Sequence, residues 1–196
     1  SDPWAHREYI VYFLESGRIT VPSDFPYYYV NYPVAHLHSA CTSLLTTISP
    51  HDAMFLWGAI LTFSTLVTFL IVRMLTGNTQ LALISMLLLN FVDVHIQWSI
   101  QNIAMSFGIA IFAFIIFFVL RIYTNTENKI IYVSFMLIFL GLIVWTHTIS
   151  AFITLVSLFA LIMGHMLYEF LYNRNIRSFR SQTVRNLMGP LVILAV

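Results

Sequence analysis

Charge is scarce in this 196-residue sequence: Asp, Glu, Lys and Arg make up 9% of the chain, whereas ordinary soluble domains carry about 25%. Hydrophobic residues make up 59% and aromatic residues 16%. A soluble fold of this size does not have enough interior to hide so much apolar surface. The composition therefore predicts an integral membrane protein and excludes low-complexity disorder.

Cysteine and basic residues are also few. The single cysteine, Cys41, excludes an internal disulfide. A formal net charge of +1 leaves no basic surplus to neutralise phosphates, so we expect no nucleic-acid partner. No signal peptide is expected either, because Asp2, Arg7 and Glu8 interrupt any apolar core near the start.

Long apolar runs are what the sequence has in abundance. Five stretches have the length and hydropathy of membrane spans, and the default structure for each is a helix, because lipid satisfies no backbone hydrogen bond. A sixth run starts at 187 and is cut at Val196, so we expect an internal piece of a larger membrane protein. The five predicted spans are 53–75, 79–95, 102–123, 130–146 and 148–173. Together they predict an all-α, multi-span helical bundle over 51–196.

The basic residues predict the orientation of this bundle, because Lys and Arg concentrate on the cytoplasmic side. Seven fall on one side of the predicted spans, and only Arg7 and Arg18 fall on the other. The seven are Arg73, Arg121, Lys129, Arg174, Arg177, Arg180 and Arg185. Residues 1–50 are therefore expected to be extracytoplasmic, outside the cell membrane or in the lumen of an internal one.

This first external loop, 1–50, shows clear helix signals. Asp2 and Pro3 are typical of a helix start, and Gly17 of a helix end. A second amphipathic helix is predicted from Pro33, with apolar residues every three or four positions. A Ser-Pro-His-Asp sequence at 49–52 is expected to cap the first span. We predict that both loop helices lie along the membrane surface.

Carboxylates and imidazoles concentrate on the same predicted outer side, six of each against two arginines. Carboxylate and imidazole together are ligands of divalent cations. Asp2 and His6, four residues apart, are expected on one face of a helix. Asp93 and His95 are expected at the outer turn between the second and third spans. His147 is expected at the outer turn between the fourth and fifth spans.

Each of these residues also has a purely structural interpretation. Asp2 alone suits an N-cap, and His6 suits an ordinary residue of an interfacial helix. Asp93 and His95 are equally typical of a span that ends in water. His147 is more often a turn residue than a ligand. The predicted topology places these residues on one face of the membrane, but it does not predict that they lie close to one another.

Two stretches of the loop resemble a known family. The sequence DPWAHR at 2–7, with ESGRI at 15–19, resembles the first external loop of GT-C membrane glycosyltransferases, with the archaeal members closest. These include oligosaccharyltransferase catalytic subunits and dolichyl-phosphate-mannose protein mannosyltransferases. Tyr32-Pro33 followed by His36 resembles the Tyr-Pro-x-x-His element that opens their second surface helix. The layout agrees over about 1–148, and the motifs are specific only over 2–37.

The resemblance implies a GT-C-like bundle with two amphipathic surface helices, and a further span before Ser1. It implies transfer of a sugar from a polyprenyl-phosphate donor at the extracytoplasmic face, with a protein, lipid or glycan as acceptor. Asp2 matches the catalytic carboxylate of the family by position. Asp93 and His95 match metal-binding residues by loop order only, because the acidic pair common in the second loop is not plainly present.

The chemistry of such a transfer agrees with these assignments. A carboxylate is needed to orient or deprotonate the acceptor, and positive charge is needed to stabilise the departing phosphate. We predict Asp2 as the catalytic residue, with a divalent metal, Mn²⁺ or Mg²⁺, as the cofactor that the resemblance implies. The predicted metal ligands are Asp93, His95 and His6, and the predicted phosphate-site residues are Arg7 and His147.

Two alternatives to an enzyme stay open. A non-catalytic membrane subunit or a lipid-binding protein of the same fold would have the same topology. A transporter is the other alternative, and such proteins place ionisable residues or broken helices near mid-membrane. The five full spans contain no proline and almost no ionisable residue in their interiors, which argues against transport.

Overall fold

The computed structural model describes residues 3–19, 32–92, 95–96, 104–124 and 128–173, and within these ranges every regular element is a helix. This confirms the all-α prediction. The helices are α1 (Pro3–Ser16), α2 (Val34–Thr46), α3 (Pro50–Thr76), α4 (Thr79–Asn90), α5 (Ala104–Thr124), α6 (Lys129–Val144) and α7 (Thr148–Asn173).

Three of these helices are long and apolar enough to cross a membrane: α3, α5 and the Thr148–Tyr168 part of α7. This is consistent with the predicted membrane protein. Two apolar helices are shorter than the roughly 20 residues that a span needs: α4 has 12 residues and α6 has 16. In particular, α4 ends at Asn90, five residues before the expected end of the second span. The apolar run from 187 lies outside the described residues.

The ends of the helices follow the predicted local signals. The Ser49 hydroxyl accepts a hydrogen bond from the Asp52 N–H at 3.1 Å, and it donates to the Asp52 carboxylate at 2.7 Å. This confirms the predicted cap of α3. Gly17 ends α1 with a φ of 63°, and Gly77 ends α3 with a φ of 68°. Both glycines adopt the left-handed conformation that other residues avoid.

Helix α5 lies at the centre of the bundle, packed against α3, α6 and α7. The Thr124 hydroxyl donates to the Met74 sulfur at 3.5 Å, so α3 and α5 end at the same side of the bundle and run in the same direction. Helices α5 and α7 bury the hydroxyls of Ser106, Ser150 and Thr154, and phenylalanine rings pack around the interior between α5, α6 and α7. The buried hydrophobic side chains of this interior are all aliphatic or thioether. We call this set the aliphatic cluster: Ile111, Ile115, Val119, Ile122, Met136, Leu140, Ile143, Leu158 and Ile162.

Helices α1 and α2 pack together on the N-terminal end of α3 and form a second, separate core. Its apolar members come from both loop helices and from the first turns of α3 and α5. We call it the loop-helix cluster, and its members are Tyr9, Ile10, Phe13, Ala35, Ala40, Met54, Trp57 and Ala104. Because α1 and α2 are anchored to α3, they form one packed body with the end of the bundle.

Candidate functional site

A buried pair of histidines joins the two loop helices. His6 of α1 and His36 of α2 are 1% and 0% exposed, and the His6 Nδ1 lies 2.8 Å from the His36 Nε2. The His36 Nδ1 lies 3.3 Å from the Tyr32 carbonyl oxygen, which can only accept a hydrogen bond. The proton of His36 is therefore on Nδ1, its Nε2 accepts, and the His6 Nδ1–H is the donor within the pair.

Aromatic rings enclose this pair. The indole of Trp57 meets both imidazoles edge to face, with centroid distances of 5.7 Å to His6 and 5.9 Å to His36. The Tyr9 ring lies 4.7 Å from His36. Trp57 is fully buried, and its Nε1–H has no hydrogen-bond partner among the residues that the structure describes. Three helices, α1, α2 and α3, thus supply the walls of one compact aromatic site.

Burial controls the protonation of this site. Loss of solvation, followed by the proximity of His6, lowers the pKa of His36 from 6.5 to about 3, although its hydrogen bond to the Tyr32 carbonyl acts in the opposite direction. Burial likewise raises the pKa of Tyr9 to about 12. Both groups are therefore neutral at physiological pH, and His36 contributes hydrogen-bond direction rather than charge.

Two of the residues predicted for the site, Asp2 and Asp93, lie outside the described residues. His6, predicted as a metal ligand, occupies the buried pair. Arg7 is half-buried, and its guanidinium lies 5.9 Å from the centroid of the Trp4 ring. Its predicted role at a phosphate is not tested by this geometry and stays a prediction.

His95 lies deeper along α3 than the histidine pair. Its Nε2 is 3.2 Å from the Ser64 hydroxyl oxygen, and that hydroxyl donates to the Leu61 carbonyl at 2.6 Å. The Ser64 oxygen therefore accepts from the His95 Nε2–H. Ser64 follows Trp57 by seven residues on the same buried face of α3, which is roughly 10 Å along the helix axis. The structure thus does not bring His95 to the level of His6.

His147 lies at the turn between α6 and α7. Its Nδ1 is 3.4 Å from both the backbone N and the hydroxyl of Ser150, and burial lowers its pKa below the usual range. The neighbouring Trp145 carbonyl accepts a hydrogen bond from the Val34 N–H at 3.2 Å, at the start of α2. His147 and the histidine pair therefore lie at the same end of the bundle, as the sequence predicted for His6 and His147.

The predicted metal site is incomplete in the part of the chain that the structure describes. Within it, no three His, Cys, Asp or Glu side chains gather closely enough to hold a metal ion. Of the predicted ligands, the described ones are His6 and His95, which offer imidazole nitrogen, whereas Mg²⁺ and Mn²⁺ prefer oxygen. The carboxylates that would supply oxygen are Asp2 and Asp93, so the metal remains a prediction.

Sequence reasoning did not identify His36, Trp57 and Ser64 as partners of the predicted residues. One signal was available for His36: it belongs to the second stretch that resembles the glycosyltransferase loop, and His6 belongs to the first. Trp57 and Ser64 carry no such signal, because both sit within an unbroken apolar run. Comparisons with family models, with curated proteins and with solved structures give no match to this chain.

Proposed function

We propose that the chain is the N-terminal transmembrane portion of a GT-C-type membrane glycosyltransferase, which transfers a sugar from a polyprenyl-phosphate donor at the extracytoplasmic face. The supporting observation is the 2.8 Å contact between His6 and His36. These residues lie thirty positions apart, one in each of the two stretches that resemble the first loop of that family. A buried contact between both stretches is what a single functional site requires.

The proposed chemistry is a displacement at the sugar's anomeric carbon. Asp2 takes the proton of the acceptor hydroxyl or amide, the acceptor atom forms a bond to that carbon, and the bond to the phosphate oxygen breaks. The lipid phosphate leaves with the electron pair. Arg7 and the Nε2–H of His147 stabilise its negative charge by hydrogen bonding.

A divalent metal, where present, would supply further positive charge at the phosphate. The sequence suggested Asp93, His95 and His6 as its ligands. His95 bonds to Ser64, roughly 10 Å deeper along α3 than His6, so one ion cannot bind both, and we propose His6 as the ligand among the described residues. The His6 Nδ1 donates its hydrogen to His36, so the ring nitrogen that would face a metal is Nε2. His36 is then a positioning residue, because its hydrogen bond sets the tautomer and the orientation of His6.

The test is a transfer assay on the full-length protein in membranes, with a radiolabelled polyprenyl-phosphate sugar as donor. We expect Asp2→Asn to lower the transfer rate by about 10²–10⁴-fold, the usual contribution of a general base. Glu8→Gln is the matched control, because Glu8 is an exposed acid on α1, six positions after Asp2 in the sequence. We expect Glu8→Gln to leave the rate unchanged.

The capping interpretation of Asp2 makes a different prediction for the same variant. Because Asn caps a helix about as well as Asp, it predicts little change in stability, with transfer per folded molecule unchanged. Retained transfer in Asp2→Asn would overturn the assignment. Retained folding with abolished transfer would exclude both the capping interpretation and a non-catalytic subunit.

One observation favours a transporter as the second candidate. Helix α4 ends after 12 residues, and His95 then pairs with Ser64 near the midpoint of α3. A short apolar helix next to a polar pair at membrane depth is typical of transport proteins. Substrate uptake into proteoliposomes that depends on His95 but not on Asp2 would support transport over transfer.

A further inference from the structure

A tryptophan lies exposed on the charged side of α1. Trp4, Glu8 and Glu15 follow one another at spacings of four and seven residues, so they lie on one face of the helix, and all three side chains are exposed. The apolar residues Tyr9 and Ile10 are buried against the protein instead. Because a carboxylate is costly to place in lipid, the face that carries Trp4 is in contact with water.

Side chains of two helices hold the Trp4 indole in place. The guanidinium carbon of Arg7, one turn further along α1, lies 5.9 Å from the Trp4 ring centroid, within the range of a cation–π contact. The imidazole of His51, in the first turn of α3, is nearly parallel to the indole, with an interplanar angle of 12°. His51 in turn meets the Phe55 ring edge to face at a centroid distance of 5.4 Å. The indole is therefore preorganised by contacts with both α1 and α3.

These contacts leave most of the indole accessible. The Trp4 and His51 centroids are 6.1 Å apart, and parallel rings at that distance are offset, so each covers only part of the other. The Trp4 side chain is 64% exposed. Tryptophan offers a large, rigid contact surface at a low cost in conformational entropy. A ligand with an apolar face of its own would remove this surface from water, which is favourable.

We propose that Trp4 is the platform on which the sugar ring of the donor packs, with Arg7 beside it at the phosphate. This inference rests on the proposed function and adds the residue that recognises the sugar. A pyranose ring has C–H groups on its face and hydroxyls around its edge, so the face packs against an indole while the edge stays in water. The phosphate is bonded to the anomeric carbon of the same ring, so its cationic partner has to adjoin the platform, as Arg7 does.

Trp145 provides a matched comparison at the same end of the bundle. Its side chain is also 64% exposed, but it directly follows the apolar helix α6, a position typical of tryptophan at the membrane–water interface. Trp4, in contrast, shares its helix face with two carboxylates. The two residues therefore have equal exposure, and we expect only Trp4 to contact the donor.

The test is a binding measurement on the full-length protein in nanodiscs, by titration calorimetry. Four ligands are compared: farnesyl phosphate, and farnesyl phosphates that carry mannose, glucose or N-acetylglucosamine. The readout is the sugar preference, defined as the Kd for farnesyl phosphate divided by the lowest Kd among the three sugar-bearing ligands. Each variant supplies its own reference in this ratio, so partial unfolding of a variant does not alter the result.

We expect the native protein to show a sugar preference of several-fold. Trp4→Leu should abolish the preference, whereas Trp4→Tyr should keep most of it, because tyrosine retains an aromatic face. Trp145→Leu, the matched control, should leave the preference unchanged. Arg7→Gln should weaken the binding of all four ligands and keep the preference.

The remaining outcomes separate this inference from the proposed function. A sugar preference that survives in Trp4→Leu, or equal binding of all four ligands by the native protein, would overturn the role of Trp4. Binding of farnesyl phosphate in either case would leave the proposed phosphate site standing. A native protein that binds none of the four would contradict the polyprenyl-phosphate donor itself, and both proposals would be wrong.

Discussion

The two buried cores of the protein are built on different chemistry. The aliphatic cluster between α5, α6 and α7 contains only aliphatic and thioether side chains, whereas the loop-helix cluster surrounds a hydrogen-bonded histidine pair with tyrosine and tryptophan rings. Helices that pack against each other within lipid are stabilised by van der Waals contact between closely fitting surfaces. Directional hydrogen bonds, in contrast, fix side chains in one orientation, which a chemical site requires. The candidate site therefore belongs to the loop-helix cluster.

Removal of one large side chain from the aliphatic cluster, and of His36 from within the loop-helix cluster, should produce the largest losses of stability. We expect His36→Ala to cost about 3–5 kcal/mol, because it leaves a cavity and deprives the His6 Nδ1–H of its acceptor. Leu140→Ala should cost about 2–5 kcal/mol through its cavity alone. Denaturant titration of the detergent-solubilised protein measures both values.

Substitutions that keep the volume should then separate the two cores. Leu140→Met is expected to cost less than about 1.5 kcal/mol relative to the native protein, because the aliphatic cluster requires only that its volume be filled. His36→Phe fills the space but makes no hydrogen bond, so it should recover only part. Full recovery by His36→Phe would show that the loop-helix cluster is also held by volume alone.

The next largest change in stability is expected from substitutions at the contact between α5 and α7. A Cβ on Gly108 would clash with the Ser150 hydroxyl oxygen and would lie 2.8 Å from the Ser150 Cβ, whereas a Cβ on Gly164 would meet no atom within 4 Å. We expect Gly108→Ala to destabilise the protein by about 1–3 kcal/mol through overpacking. Gly164→Ala, the matched control, should be neutral or more stable by up to about 1 kcal/mol. Thermal unfolding of both variants would show equal midpoints if the helices can separate freely at Gly108.

Acid should weaken the loop-helix cluster through His36. Its pKa is about 3 in the folded protein and 6.5 in the unfolded chain, so between these values only the unfolded chain binds the proton. Stability therefore falls as the pH is lowered below about 6.5, and this loss is complete near 3. We expect the thermal midpoint to decrease over this range.

Replacement of His36 should remove part of that pH dependence. His36→Gln is expected to have a lower midpoint at neutral pH and a shallower decrease in acid. Burial also lowers the pKa of His38 and His147, so a residual decrease of the same sign should remain. Ser39→Ala, a neighbour on the same buried face without a titratable group, should keep the original slope. An equal slope in His36→Gln would contradict the assignment to His36.

The sequence predicted what depends on local signals. The Ser49 cap determines where α3 begins and Gly17 determines where α1 ends, and each acts within one turn. Hydropathy identified the apolar helices for the same reason. It did not predict that α4 ends at Asn90, because apolar residues continue beyond it at Phe91 and Val92.

The contacts of the candidate site depend on residues far apart in the chain, which local patterns do not encode. His6 and His36 are thirty positions apart, and His95 is thirty-one from Ser64. We predicted His95 at an outer turn because we expected the second span to continue unbroken to residue 95. The motif resemblance covered His6 and His36 separately but gave no indication that they contact each other.

The most direct test of the account is imidazole ¹⁵N NMR on the histidine-labelled protein, in search of a coupling across the N–H···N hydrogen bond. We predict a coupling between the His6 Nδ1 and the His36 Nε2, a proton on the His36 Nδ1, and no protonation of His36 down to a pH of about 3. His36→Gln should abolish the coupling. No coupling in the native chain, together with a His36 that titrates near 6.5, would contradict the buried pair and with it the proposed joining of the two motif stretches in one site.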